Sequence, residues 1–176
     1  MATTGKALVA LGKVVATHGL RGALKVQGTT PDFAALADVR QVRIQRAGEE
    51  PETFRLRGAS WQRGGLVMSL EGLDTVEAAA TLVGASVLVA PEMMPQPEAG
   101  RYFWFQLQGL AARDRQKGDL GRLEDIFVTA AHPVYVVRGR FGEVLIPAVS
   151  QFLVEVDFEQ GRVLFDLPEG LVQEDG

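Results

Sequence analysis

The sequence contains no cysteine among its 176 residues. Structural disulfides, thiol nucleophiles and cysteine-ligated zinc or iron–sulfur sites are therefore excluded. Only two histidines are present, His18 and His132, and neither lies in an HExxH or HxxxH spacing. We therefore predict no metal site, and we interpret both histidines as turn or surface residues in preference to catalytic bases.

Long hydrophobic runs and catalytic motifs are also missing. The longest apolar run near the N-terminus is ALVAL, Ala7 to Leu11, which is too short for a signal-peptide core or a membrane span. No phosphate-binding glycine loop and no GxSxG nucleophile elbow occurs. Asp114 and the Glu124-Asp125 pair lie near predicted turns, where carboxylates are usually solvated. We expect a soluble, cytoplasmic protein that is not an enzyme and needs no cofactor.

The charge is unevenly distributed along a chain of ordinary composition, with 47% hydrophobic and 23% charged residues. Residues 1–92 carry 10 Lys and Arg against 9 Asp and Glu, whereas residues 93–176 carry 8 against 13. Four cations precede the first acid, Asp32; they are Lys6, Lys13, Arg21 and Lys25. This order predicts a small basic patch near the N-terminus, for which an ordinary solvated face is the alternative.

Short apolar or alternating segments separated by glycine, among them QVRIQR and GLVMSL, indicate strands in both halves of the chain. One helix interrupts the first half, with Asp74 as the predicted N-cap and Gly84 as the stop. PEMMPQPEAG, residues 91–100, resists both helix and sheet. We therefore predict an all-β fold of two small β-barrels joined by a proline-rich linker. The predicted boundaries are 1–92 for the first barrel, 93–100 for the linker, 101–168 for the second barrel and 169–176 for a C-terminal tail.

Four aromatic side chains stand in a row in RYFWFQLQGL, from Tyr102 to Phe105. We interpret this segment as the first strand of the second barrel. Because side chains alternate across a strand, either Tyr102 and Trp104 or Phe103 and Phe105 would then face outward. Two large outward rings either seal the interface between the two domains or contact a partner.

THGLRG, residues 17–22, contains a GxxG pattern. A GxxG loop clamps nucleic-acid backbone in KH domains, but it lies between helices there, whereas both flanks here indicate strands. We therefore reject a KH domain. The segment remains a basic, glycine-hinged turn from which Arg21 could reach an RNA phosphate, and an ordinary hairpin turn is an equally good explanation.

Several segments, taken together, resemble the RimM family of ribosome maturation factors. In chain order they are GKVVATHGLRGALKV, VEAAATLVGASVLV, RYFWFQLQGL, GDLGRLEDI, VLIPAV and VLFDLPEGLV. The resemblance implies an N-terminal barrel similar to those of translation factors, followed by a PRC barrel. It implies a non-enzymatic assembly factor that binds the immature small (30S) ribosomal subunit through a head protein of the S-nineteen family. It also implies a role in head maturation and 16S rRNA processing.

The resemblance also suggests which residues bind. A pair of adjacent aromatics, usually both tyrosine, supports ribosome association in the family, and it falls on Tyr102 and Phe103 here. With Trp104, these are the predicted partner-binding residues. Phe103 lacks the second hydroxyl, and FQL at residues 105–107 replaces the usual histidine and aspartate before the leucine. The first barrel supplies the candidate rRNA contacts Lys13, His18, Arg21 and Lys25, beside Ala23, where an acid is usual.

We expect a monomer with no membrane partner. Two alternatives stay open at this point. One is an rRNA-modifying or processing enzyme, which would need a methyl-donor pocket or metal-binding carboxylates. The other is a general PRC-type adaptor unrelated to the ribosome, because a fold alone does not define a function.

Overall fold

The structure is a computed structural model that describes residues 7–97 and 100–174. The chain divides into two compact units between Gln96 and Pro97, called here the first and the second domain. Three parts of the predictions lie outside the described residues: Lys6 of the basic patch, residues 98–99 of the linker and the last two residues of the tail. Within the described ranges, no helix is long and apolar enough to cross a membrane.

The first domain is a closed antiparallel ring of six strands. They are β1 (Val9–His18), β2 (Ala23–Gly28), β3 (Gln41–Gln45), β4 (Glu52–Gln62), β5 (Gly65–Leu70) and β6 (Ser86–Val89). Their order around the ring is β1–β2–β5–β4–β3–β6, and β6 pairs back onto β1. Alternate side chains fill the interior, among them Leu24, Val26, Ile44, Leu66 and Met68. Closure leaves no open sheet edge in this domain.

A 3₁₀ helix that was not predicted from the sequence follows β2, at Pro31–Asp38. Thr30 Oγ1 accepts a hydrogen bond from the Asp32 N–H at 3.2 Å, and Pro31 suits the first helical position. This helix places the Phe33 ring against the backbone of Gly12 and Gly28, where a Cβ at Gly28 would collide with the ring and a Cβ at Gly12 would lie 3.3 Å from it. The helix therefore fixes an aromatic ring against β1 and β2.

The predicted helix of the first domain forms, but it is shorter than predicted: its N-cap lies one residue after Asp74, and it ends at Ala80, before Gly84. Helix α1 spans Val76–Ala80, and its N-cap is Thr75, whose Oγ1 accepts a hydrogen bond from the Ala78 N–H at 3.2 Å. Asp74 forms an ion pair with Arg57 at 2.9 Å instead. Threonine and aspartate are both favoured N-cap residues, so sequence spacing alone did not separate the two neighbours.

The second domain is a six-stranded sheet around one hydrophobic core. Its strands are β7 (Ala111–Asp114), β8 (Gly118–Val128), β9 (Pro133–Gly139), β10 (Gly142–Pro147), β11 (Leu153–Asp157) and β12 (Arg162–Phe165). The order is β10–β9–β8–β7–β12–β11, and only the β12–β7 pair is parallel among the described strands. The predicted all-β class is confirmed, in two sheet-rich domains. Of the two predicted barrels, only the first has its described strands paired into a closed ring.

The strand predicted to open the second domain at residue 101 is wrong. Residues Trp104–Leu107 form the one-turn helix α2. Gln106 Oε1 accepts a hydrogen bond from the Phe103 N–H at 2.9 Å, which satisfies one free donor at the helix start. Gly109 ends the turn with φ 84°, and the first strand begins only at Ala111.

The interpretation of Asp114 as a solvated turn residue is also wrong, because only 4% of it is exposed. Its Oδ2 accepts hydrogen bonds from the N–H groups of Gln116 and Lys117 at 3.0 and 2.9 Å. Its Oδ1 accepts one from the buried Leu167 N–H at 2.9 Å. Asp114 therefore ties the β7–β8 turn to the chain that follows β12.

Candidate binding surfaces

The aromatic row of residues 102–105 does not alternate as a strand would, because α2 begins at Trp104. Trp104 is only 7% exposed and belongs to the core of the second domain. Its ring lies 6.2 Å from that of Tyr135 at an interplanar angle of 27°, and Tyr135 in turn lies 6.2 Å from Phe165. This burial assigns Trp104 to packing and leaves Tyr102 and Phe103, both half-buried, as the predicted partner-binding residues with accessible surface.

The remaining rings form two pairs in contact, Tyr102 with Phe158 and Phe103 with Phe105, and we call these four residues the aromatic cluster. The Tyr102 and Phe158 ring centroids are 5.8 Å apart at 63°, and Phe158 is 50% exposed. Phe103 and Phe105 stack at 5.8 Å and 18°. Phe158 follows β11 and is distant in sequence from the other three, so no local pattern pointed to it. Mutual packing holds these rings in place, which lowers the entropy cost of a contact.

A charged groove of about 440 Å³ lies on the face formed by β7, β12 and β11. Arg113, Arg162, Glu155 and Asp157 line it. Asp157 stands opposite Arg162 in the β11–β12 register. Neither Arg113 nor Arg162 forms an ion pair with another described residue. The groove therefore offers both signs of charge, and one of its lining residues, Asp157, directly precedes Phe158 of the aromatic cluster in the chain.

The predicted rRNA contacts of the first domain lie along one two-stranded ribbon. Lys13 on β1 is exposed and stands opposite Gln27, while Lys25 on β2 is half-buried and stands opposite Ala16. His18 ends β1, and Arg21 lies exposed in the β1–β2 turn. At about 3.3 Å per residue, the ribbon from Lys13 to His18 is roughly 16 Å long. The structure thus brings the four residues onto one pair of strands.

Tertiary pairing enlarges this basic region. Strand β2 pairs with β5, and β5 pairs with β4, so β4 joins the same side of the ring. Strand β4 and the turn after it carry Arg55, Arg57 and Arg63 against a single acid, Glu52. Strands β1, β2, β5 and β4, with the turns between β1 and β2 and between β4 and β5, carry six Lys and Arg, of which Arg57 is paired with Asp74. We call this set the basic sheet side.

The charge of Arg138, in the second domain, is neutralised by ion pairs within the protein. Arg138 bonds to Glu124 at 3.0 Å and to Glu143 at 3.1 Å, and these hydrogen bonds raise its pKa above the ordinary value. The two carboxylates hold this guanidinium, which makes it a poor candidate for an external anion. No group of three or more carboxylate or imidazole side chains suited to a metal ion occurs in the described ranges.

Comparison with known proteins gives consistent matches over both domains. The family model for the RimM N-terminal domain matches residues 9–94, and that for the RimM PRC barrel domain matches residues 104–171. The chain is 49% identical over 167 residues to the ribosome maturation factor RimM of Syntrophotalea carbinolica, with 95% of each chain covered.

Two further matches extend over almost the whole chain. The ribosome maturation factor RimM of Geotalea uraniireducens is 33% identical over 170 residues, which cover 97% of this chain and 98% of the relative. A solved structure of a 16S ribosomal RNA processing protein RimM from Pseudomonas aeruginosa is 30% identical. It covers 92% of this chain and 98% of its own, with a TM-score of 0.47.

Proposed function

Because the chain belongs to the RimM family of ribosome maturation factors, we propose that it acts in ribosome maturation and 16S rRNA processing as a non-enzymatic assembly factor. It binds the immature 30S subunit through a head protein of the S-nineteen family and promotes maturation of the subunit head. The chain acts by binding to the subunit, without catalysis, in the cytoplasm, where subunits are assembled.

The observation that carries the proposal is the aromatic cluster at the start of the second domain. Half-buried rings that are already packed against one another lose little entropy on binding, and tyrosine and other aromatics are enriched among residues that dominate interfaces. Tyr102 and Phe103 supply accessible aromatic surface, and Phe158 extends it. Trp104 belongs to the core against which Tyr102 packs, so its part in the proposed contact is indirect.

Charge supports a division of labour between the two domains. Residues 93–176 carry 13 acids against 8 Lys and Arg, which favours a basic ribosomal protein as the partner of the second domain. The basic sheet side of the first domain favours rRNA phosphates instead. Lys13, His18, Arg21 and Lys25 are the proposed rRNA contacts there.

Calorimetric titration of the purified head protein tests the protein contact. We expect the wild type to bind and the Tyr102→Ala, Phe103→Ala double variant to lose at least about 30-fold in affinity, as for an interface hot spot of about 2 kcal/mol. Phe103→Ala keeps the backbone N–H that donates a hydrogen bond to Gln106 Oε1, so the start of α2 is preserved. Phe127→Ala is the matched control, because Phe127 is a 43% exposed aromatic of the same domain outside the cluster.

Equal binding by wild type and double variant, with the fold verified by circular dichroism, would place the contact elsewhere. If neither protein binds, the titration is repeated with rRNA of the subunit head present, and continued absence of binding removes the proposed partner. Co-sedimentation with immature 30S subunits tests the broader role. A change in rRNA length or methylation caused by the purified chain alone would instead favour an enzyme.

A further inference from the structure

An exposed indole at the end of β4 is not explained by packing within the first domain. Trp61 is 53% exposed, and the Phe33 ring meets it edge to face, with centroids 5.4 Å apart at 89°. Phe33 itself is wedged against the backbone of Gly12 and Gly28. Trp61 is therefore held along one contact while about half of its surface remains open. A large aromatic ring held rigidly at the surface offers a flat stacking platform.

Two cations lie at the turn that follows Trp61. Arg63 is exposed in the turn between β4 and β5. The Lys25 ammonium reaches the same turn, since its Nζ is 3.4 Å from the position that a Cβ on Gly64 would occupy. Neither cation forms an ion pair with any residue in the described ranges. An indole and two cations without ion-pair partners among the described residues thus lie at one hairpin, with Trp61 on the sheet face of Leu66 and Lys25 on the face of Val67.

The surroundings of this hairpin contain little negative charge. Residues 53–70 include Arg55, Arg57 and Arg63 and no acid. Asp32, the neighbour of Phe33 in the chain, is only 5% exposed. Because β5 runs antiparallel to β2 with Leu66 opposite Val26, the hairpin lies at the end of β2 away from the β1–β2 turn. Cations consequently follow β2 from Arg21 at one end to Arg63 at the other.

We propose that the β4–β5 hairpin binds single-stranded RNA, with a base stacked on Trp61 and backbone phosphates of the same strand held by Lys25 and Arg63 as the RNA passes around the hairpin. The inference rests on the proposed rRNA contact of the first domain and names its ligand class. Stacking requires an unpaired base, because the faces of paired bases are covered within a helix. Stacking also tolerates any base, so the site selects for strandedness and phosphate more than for sequence. Lysine is depleted at protein–protein interfaces, so Lys25 at this hairpin favours a phosphate over a protein partner.

Fluorescence offers a direct test, because the chain has two tryptophans and Trp104 is buried in the other domain. In a Trp104→Phe background, Trp61 is the sole tryptophan. We expect a 12-nucleotide single-stranded RNA of mixed sequence to quench its emission and the same RNA in a duplex to quench it much less. Labelled-RNA anisotropy with the wild-type chain gives the affinity independently of that background.

Variants separate stacking from packing. Trp61→Leu keeps apolar bulk against Phe33 without an aromatic face, and we expect about a 10-fold loss of RNA affinity, while Trp61→Phe retains most of it. Lys25→Gln and Arg63→Gln should each reduce the slope of log affinity against log salt by about 0.7. Arg46→Gln is the charge control, because Arg46 is already paired with Glu49 at 2.8 Å.

Three results would overturn the proposal. RNA affinity unchanged in Trp61→Leu would leave the rRNA contact of the first domain in place and remove the stacking site. Absence of any RNA binding would refute both the stacking site and the rRNA contact of the first domain. It would leave the head-protein contact, which calorimetry measures separately, unaffected. Weakened head-protein binding in Trp61→Leu, with RNA affinity unchanged, would assign the indole to a protein interface.

Discussion

Replacement of Asp114 by alanine removes the acceptor of three backbone N–H groups. The bonds to Gln116 and Lys117 lie at a turn that water can reach, so those donors are partly satisfied by solvent after the change. The Leu167 N–H is buried and stays without an acceptor. Hydrogen bonds to charged groups contribute about 1.5–3 kcal/mol, and a buried unsatisfied donor costs about 1–3 kcal/mol. We therefore expect Asp114→Ala to lower the free energy of unfolding of the second domain by about 3 kcal/mol.

Urea unfolding followed by Trp104 emission measures this loss, in a Trp61→Phe background so that the signal comes from the second domain alone. At an m-value of about 1.5 kcal/mol/M, a loss of about 3 kcal/mol lowers the midpoint by about 2 M. Asp119→Ala is the matched control, because its Oδ1 accepts only the exposed Gly121 N–H at 3.0 Å. A midpoint for Asp114→Ala equal to that of Asp119→Ala would refute the reasoning.

Two further substitutions test the packing described above. Trp104→Ala should lower the free energy of unfolding of the second domain by about 3–5 kcal/mol, and Trp104→Phe by clearly less; equal stability of Trp104→Ala and wild type, measured by circular dichroism in urea, would contradict its burial. Gly65→Ala should destabilise the first domain by more than about 1 kcal/mol, because φ is 153° and a Cβ would overlap the Val26 carbonyl oxygen. Gly58→Ala, where the space is open, is its control, and equal midpoints for the two variants would argue against the overlap.

Strand positions followed well from the sequence wherever alternation was bounded by glycine. The segment GLVMSL was predicted as a strand and coincides with β5, and QVRIQR differs from β3 by one residue. The aromatic segment was misassigned because four aromatics favour a strand locally. A single side-chain cap from Gln106 and the terminating Gly109 outweighed that preference and produced α2.

The candidate sites were predictable in part. Tyr102 and Phe103 came from a resemblance, whereas their neighbour Phe158 depends on the packing of a distant turn. Lys13 and Lys25 were visible as an N-terminal excess of positive charge. Trp61 carried no local signal, because an isolated tryptophan in a strand is usually a packing residue, and only its measured exposure made it a candidate.

The sequence by itself excluded cysteine chemistry, located most strand-forming segments and identified the family. Each of these depends on residue types or on their local order along the chain. Tertiary structure alone decided that β4 joins β2 through β5, which gathers the arginines of β4 beside the lysines of β1 and β2. It also decided that Trp104 is buried while Trp61 is exposed. The physical reason is that strand order and burial arise from contacts between residues far apart in the chain, and local propensity does not encode them.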